Sequence, residues 1–261
     1  MLRAFSTAAT GMAGQQMIVD VIANNLANIN TTGFKRSQVD FQDLMYLKIA
    51  QAGRETATGV LAPTGFEVGS GVRPASTTRI YTAGELESTG RDLDVAISGD
   101  GFFQVTLPDG TLRYTRDGSF KINANRQFVT AMGYQIGSGL TLPAEATGVS
   151  IGSDGTVTAH LSTGTSSNIG TLQLVKFPNA AGLSAEGDNL MKETAASGTP
   201  TTGTAGQNGF GTLQQNFLEK SNVQMVTELV NLIKAQRAYE INSRAIRAGD
   251  EMLNTANRLG Q

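Results

Sequence analysis

Two apolar stripes at heptad spacing, one at each end of the chain, constrain this sequence more than any other feature. Phe5, Met12, Val19 and Leu26 stand seven apart, with Ala8, Ile22 and Ile29 on the neighbouring line and Gln15 the polar exception. Apolar a and d positions kept over about four heptads predict a long amphipathic helix over about residues 1–30. Thr32-Gly33 then supplies the glycine expected just past a helix C-terminus. Near the other end Met225, Leu232, Tyr239, Ile246 and Leu253 recur in the same way, flanked by Val226, Leu229 and Ile233. They predict a second helix from about Ser221 to Leu259. Ser221 with Gln224 reads as a capping box at its start, and Glu240 with Arg244 as a helix-face ion pair. At ~1.5 Å per residue the helices run to roughly 45 and 57 Å, long and narrow-striped for a compact domain.

Between the stripes the pattern changes to short β-rich runs: FFQVTL (Phe102–Leu107), TLRYT (Thr111–Thr115), SFKIN (Ser119–Asn123) and TLQLVKF (Thr171–Phe177). Asp109-Gly110, Asp117-Gly118 and Asp154-Gly155 are hairpin signals, and an antiparallel meander over about Gly71 to Phe177 is expected. The stretches Gln51–Gly71 and Ala195–Gly211, rich in Gly, Ser, Thr and Ala, read as linkers that bury little. The fold class is therefore α+β: long N- and C-terminal helices forming a coiled coil, with a central antiparallel β-rich domain.

Composition removes most chemistry. The chain has no Cys and one His, so thiol nucleophiles, disulfides, Cys-zinc sites and multi-His metal sites are excluded. A net charge of −2 provides no basic footprint for nucleic acid. No P-loop or G-x-G-x-x-G pattern occurs, and Asp92, Asp94 and Asp100 do not follow the EF-hand spacing, so Asp100-Gly101 reads as a turn. His160 sits in a Thr-rich strand-like run without an acidic or nucleophilic neighbour. Asn30-Thr31-Thr32 matches a glycosylation sequon only incidentally, since the N-terminus carries no secretory-type apolar core. No enzyme, cofactor or metal is expected. Charged residues make up 16% of the chain against an average near 25%, leaving a polar, weakly charged surface suited to self-association.

The stripes admit two readings. They are either the core of one helix pair within a domain, or seams between copies. The second is favoured because a β unit has no need of such long helices, and because Gln15, Gln16, Asn24, Asn25 and Asn28 are amides suited to hydrogen bonds between copies.

The residues also carry a resemblance. NNLANINTTGFKR (Asn24–Arg36) resembles the N-terminal signature of the bacterial flagellar rod and hook axial proteins. LEKSNVQMVTEL (Leu218–Leu229) and LVNLIKAQRAYEINSRAI (Leu229–Ile246) resemble their C-terminal signature. LDVAISGDGFFQV (Leu93–Val105), LPDGTLRYTRDGSF (Leu107–Phe120) and EGDNLMKETAASGTP (Glu186–Pro200) are most similar to the distal-rod branch. So is the stretch around GFEVGSGVR (Gly65–Arg73), although LKIAQAGRETATGVLAPTG (Leu47–Gly65) departs from that branch's wording.

The resemblance implies a helically polymerised, rigid, hollow shaft that transmits torque from motor to hook. Proximal rod or hook subunits of the same family are the alternative, and a β-rich binding module a more distant one. It implies an inner helical domain from residues 1–34 and 218–261, a connector with a rod-specific segment at 35–70, an outer β-rich domain at 71–195 and a return linker at 196–217. Assembly seams are expected at Phe5, Met12, Val19, Ile22, Asn25, Leu26 and Ile29, and at Met225, Leu229, Leu232, Ile233, Tyr239, Ile246 and Leu253. Thr32, Gly33 and Phe34 would form the family-signature turn, and Leu47, Arg54, Leu61 and Pro63 mark the rod-specific segment. The implied partners are further copies of the chain, neighbouring proximal rod and hook proteins, the periplasmic P-ring and outer-membrane L-ring proteins, and the flagellar type III export apparatus, which would carry it out without a cleaved signal peptide.

Overall fold

A computed structural model describes residues 2–57, 60–137 and 139–259. The chain forms two compact units, one from residues 1–26, 37–78 and 224–261, the other from residues 27–36 and 79–223. The helix–strand–helix order and antiparallel β-rich middle are those expected, and the class is α+β.

The first unit contains two helices, α1 (Leu2–Ala27) and α2 (Met225–Leu259), and a long β ribbon. α1 ends earlier than Thr32-Gly33 suggested. Residues 28–30 turn instead, and Gly33 serves a later turn (φ +67°) rather than a helix cap. α2 begins four residues after Ser221. Ser221 Oγ accepts from Val223 N–H, while Gln224 provides the first helical carbonyl, to Glu228 N–H, and its Oε1 takes the Thr227 hydroxyl. The expected capping box is therefore replaced by a Gln224–Thr227 contact. Glu240 pairs with Arg237, 3.3 Å away, in place of the expected Arg244 partner.

Residues 51–71, expected as a linker, are mostly ribbon. Ser37–Asp43 pairs with Val72–Arg79, Leu47–Ala50 with Phe66–Val68, and Glu55–Ala57 with Val60–Leu61. Bonds from Leu44 N–H to Gly71 and from Ala62 N–H to Arg54 continue the pairing between strands. Small and β-compatible residues with no long apolar run disguised these strands as low-complexity chain.

In the second unit the strand Phe102–Thr106 is central. It forms a hairpin with Leu112–Thr115 and on its other side meets both Gln135–Ile136 and Leu174–Lys176. The nine-stranded antiparallel sheet is thus no simple meander, because Leu174–Lys176 returns from far along the chain. Alternation along the central strand sends Phe103 and Val105 into the larger core with Val95, Ile97, Phe128, Val157 and Leu174. Phe102 enters a smaller one with Tyr114, Val175, Phe177 and Met191.

A three-stranded sheet, Ala146–Ile151, Thr156–Leu161 and Ser166–Thr171, adjoins these elements. Its neighbour Gln215 donates to the carbonyls of Asp92 and Val149, each at 2.7 Å, and accepts from Ile151 N–H. The stretch 195–211 is ordered against this unit, contrary to expectation. Thr201–Gly203 pairs with Leu174–Lys176, and Ser197 and Ala205 are buried.

Two of the three Asp-Gly pairs make the expected hairpins. Asp109 and Asp154 each accept the hydroxyl and backbone N–H of the Thr two residues on, which holds both carboxyls below the usual carboxylate range. Asp117-Gly118 differs, because Gly118 packs directly on the Val95 carbonyl and the chain after it joins no hairpin with Leu112–Thr115.

Gly110 and Gly155 both have positive φ, but only at Gly155 would an added Cβ meet backbone, at 2.5 Å from the Leu172 oxygen. Gly110→Ala should therefore cost the left-handed strain alone, ~1–2 kcal/mol. Gly155→Ala should cost a further ~1–3 kcal/mol for the clash, measured as the difference between their urea unfolding midpoints.

Candidate assembly surface

The two helices of the first unit run antiparallel. Gly249 of α2 lies against Phe5 near the start of α1, Gly11 against Asn242, and Gln16 and Val19 share a cleft with Gln236, Tyr239 and Glu240. Glycine matters at two of these places. A Cβ on Gly249 would approach the Phe5 ring to 2.6 Å, and one on Gly11 would stand 3.0 Å from the Asn242 amide. α1 also rests on the ribbon, through Gly14 on Phe41 and a Thr10 hydroxyl that accepts from Val72 N–H.

This packing divides the expected seam residues into three sets. Phe5, Met12, Val19, Leu26, Leu232, Ile246 and Leu253 are half-buried, and Ile29 is half-buried in the turn after α1. Ile22 and Asn25 are fully buried, so within the protomer they belong to its own packing rather than to an exposed seam. Asn25 is 1% exposed because its amide works as a backbone surrogate, donating to Ser37 C=O and accepting from Ser37 N–H, both at 2.9 Å. Met225, Leu229, Ile233 and Tyr239 are exposed. With them stand Val226, Val230 and Ile241, with Val226 75% exposed. The first five turns of α2 therefore present an apolar strip beyond what α1 covers.

The ribbon presents a second one. Met45 (89% exposed), Tyr46, Leu47, Ile49 and Phe66 lie open on it. Of the marked rod-specific residues, Leu47 and Pro63 are exposed, Arg54 accepts the Ala62 N–H through its carbonyl, and Leu61 is placed through its backbone in Val60–Leu61. Thr58 and Gly59 of that segment lie outside the described residues.

The signature turn belongs to the second unit. Thr32 donates its hydroxyl to Asp117 at 2.8 Å, Gly33 N–H donates to the Glu219 carbonyl, and a Cβ on Gly33 would lie 2.7 Å from the Arg116 backbone. The Phe34 carbonyl accepts from Asn222 N–H.

Beside it is a charge cluster that sequence reasoning missed. Lys35 Nζ sits 2.6 Å from both Glu219 Oε1 and Thr82 C=O, and the Lys35 and Glu219 side chains are 0% and 1% exposed. Burial pushes the Lys35 pKa down, and Glu219 opposes that shift. Arg116, also buried, brings Nε to 3.5 Å from Glu219 Oε2 and stacks its guanidinium over the Phe102 ring. The residues stand in the quoted signature stretches, but nothing in their local spacing announces that they meet.

Elsewhere Asp94 is held by Arg91 and Thr89, Asp100 by Lys176, and exposed His160 contacts Ser166, so these side chains do not converge. Among the described residues no helix is long and apolar enough to cross a membrane.

Comparison with known proteins agrees with this architecture. The family described as "Flagella basal body rod protein" matches residues 5–35, "Flagellar hook protein FlgE/F/G D1 domain" residues 96–159, and "Flagellar basal body rod FlgEFG protein C-terminal" residues 214–259. The chain is 48% identical to "Flagellar basal-body rod protein FlgG" of Borreliella burgdorferi and 45% identical to that of Caulobacter vibrioides, each match covering 99% of both chains. It is 38% identical to the Bacillus subtilis protein of the same name, over 97% of both. The chain belongs to the flagellar basal-body rod protein family and is a structural component of the bacterial flagellum's basal body.

The Asn25 surrogate bridge makes a specific prediction. Asn25→Ala removes both partners of Ser37 at once and should cost about 1–3 kcal/mol. It should also raise the exchange rate of the Ser37 amide, read by hydrogen-exchange NMR.

Proposed function

We propose that this chain is the subunit of the distal rod, polymerising helically into a rigid, hollow shaft that carries torque from motor to hook. The observation that carries the reading is the apolar strip on α2, left open after α1 has taken its place. Such a strip is costly in water, and a second copy presenting a different surface can cover it. A contact of that kind is heterologous, does not close, and propagates as a filament. Full burial of such a side chain is worth ~1.5–3 kcal/mol, and covering the part of Val226, Val230 and Ile233 still exposed gains a corresponding fraction of it.

In this reading the helices form the inner layer of the shaft and the β-rich unit faces outward, toward the P-ring and L-ring proteins that surround the rod. Proximal rod and hook proteins adjoin its ends. The subunit reaches its place through the flagellar type III export apparatus. Its role is mechanical, with no catalytic step. The exposed apolar ribbon, in the segment marked as rod-specific, adds contacts that stiffen the shaft.

Two variants test this. Ile233→Asp places an unpaired charge in the proposed seam, so it should leave the monomer's circular dichroism and melting unchanged while abolishing polymerisation by electron microscopy. Polymers of ordinary length from that variant would sink the seam assignment. Removing residues 47–65 should still give filaments, but with a persistence length several-fold shorter, and an equally straight filament would remove the ribbon from the account of stiffness.

A further inference from the structure

Glu219 is one carboxylate between two buried cations. Its Oε1 accepts from Lys35 Nζ at 2.6 Å and from Gly84 N–H at 2.9 Å, its Oε2 faces Arg116, and its backbone carbonyl accepts Gly33 N–H. Lys35 and Arg116 belong to segments far earlier in the chain. Around them the remaining polar partners are neutral: Thr82 C=O for Lys35 and Gly99 C=O for Arg116. Three residues on, Asn222 repeats the pattern without charge. It accepts Arg36 N–H at 2.7 Å and donates to Ile80 C=O and the Thr82 hydroxyl.

From this placement we infer that Glu219 is a folding checkpoint: the β-rich unit closes over Lys35 and Arg116 only when the strand Phe217–Glu219 arrives to neutralise them. Until then, closing the unit buries two like charges with no anion, a state far costlier than leaving both in water. The segments holding Lys35 and Arg116 are made, and would emerge from any narrow channel, well before Glu219. A partly delivered chain therefore stays open, and its unit folds when nearly all of its own residues are present. An ordinary stabilising ion pair would lock after folding and would slow only unfolding. A checkpoint acts on the folding step itself.

The test is refolding of the full chain from urea, followed by pulsed hydrogen exchange at Phe102–Thr106. Glu219→Gln should delay protection of that strand on the order of tenfold or more, as expected when a buried cation loses its partner before the barrier. Adding Lys35→Met to Glu219→Gln removes the stranded ammonium, leaves Arg116 on its Gly99 carbonyl, and should recover at least about threefold of the lost rate. Parental refolding in Glu219→Gln with only faster unfolding would overturn the inference, as would failure of Lys35→Met to recover that much of the rate. Should Glu219→Gln not fold at all, the milder Glu219→Asp decides by the same exchange pulse: slowed protection supports the checkpoint, and parental protection with faster unfolding rejects it.

Discussion

The pairing of α1 with α2 is the constraint from which the rest follows. Two helices side by side share one seam, and each has more circumference than that seam can cover. In α2 the side carrying Ala235, Asn242 and Gly249 is occupied within the protomer, and the glycine at Gly249 lets Phe5 come close. The side carrying Val226, Val230 and Ile233 is not. The protomer thus leaves an apolar surface of its own uncovered, and in the proposed assembly it is this surface that a second copy covers. The ribbon repeats the theme, since a two-stranded ribbon cannot by itself bury Met45, Ile49 or Phe66, which stay exposed although α1 packs on Phe41.

Buried polar groups do a different task. Asn25 and Asn222 each present an amide to backbone groups of another segment, fixing where residues 36–37 run. Lys35, Arg116 and Glu219 fix the second unit where its early and late segments meet. Hydrophobic burial is tolerant of small shifts, whereas these bonds are directional and fail if a segment is displaced by an ångström or two. In the first unit the Asn25 bridge keeps the ribbon in one register with α1, and in the second the charged cluster does the same for that unit's own segments.

Much of this was legible in the sequence. The heptad stripes marked both helices, and the Asp109-Gly110 and Asp154-Gly155 turns marked real hairpins, because these are local signals whose physics acts within a few residues. What escaped notice was non-local. The return of Leu174–Lys176 to the central strand, the ordering of residues 195–211 and the Lys35–Glu219 pair depend on partners far away in sequence. The stripes themselves misled in one respect. Heptad spacing named Ile22 together with Met225 and Tyr239, but it is blind to which side of a stripe the protomer itself covers. The capping pattern at Ser221 failed for a related reason, since the chain there is engaged in tertiary bonds through Asn222 that hold it out of the helix until Gln224.

The chain contains no cysteine, so a single introduced one reports on its own site without background. The most direct test of the central claim is the maleimide labelling rate of Val226→Cys in the monomer and in the assembled filament. If a second copy covers the open strip of α2, labelling is rapid in the monomer and falls at least about tenfold on assembly, on the scale expected for a thiol buried in a packed seam. Equal labelling rates in the two states would mean that the strip stays in water and that the filament is held together elsewhere.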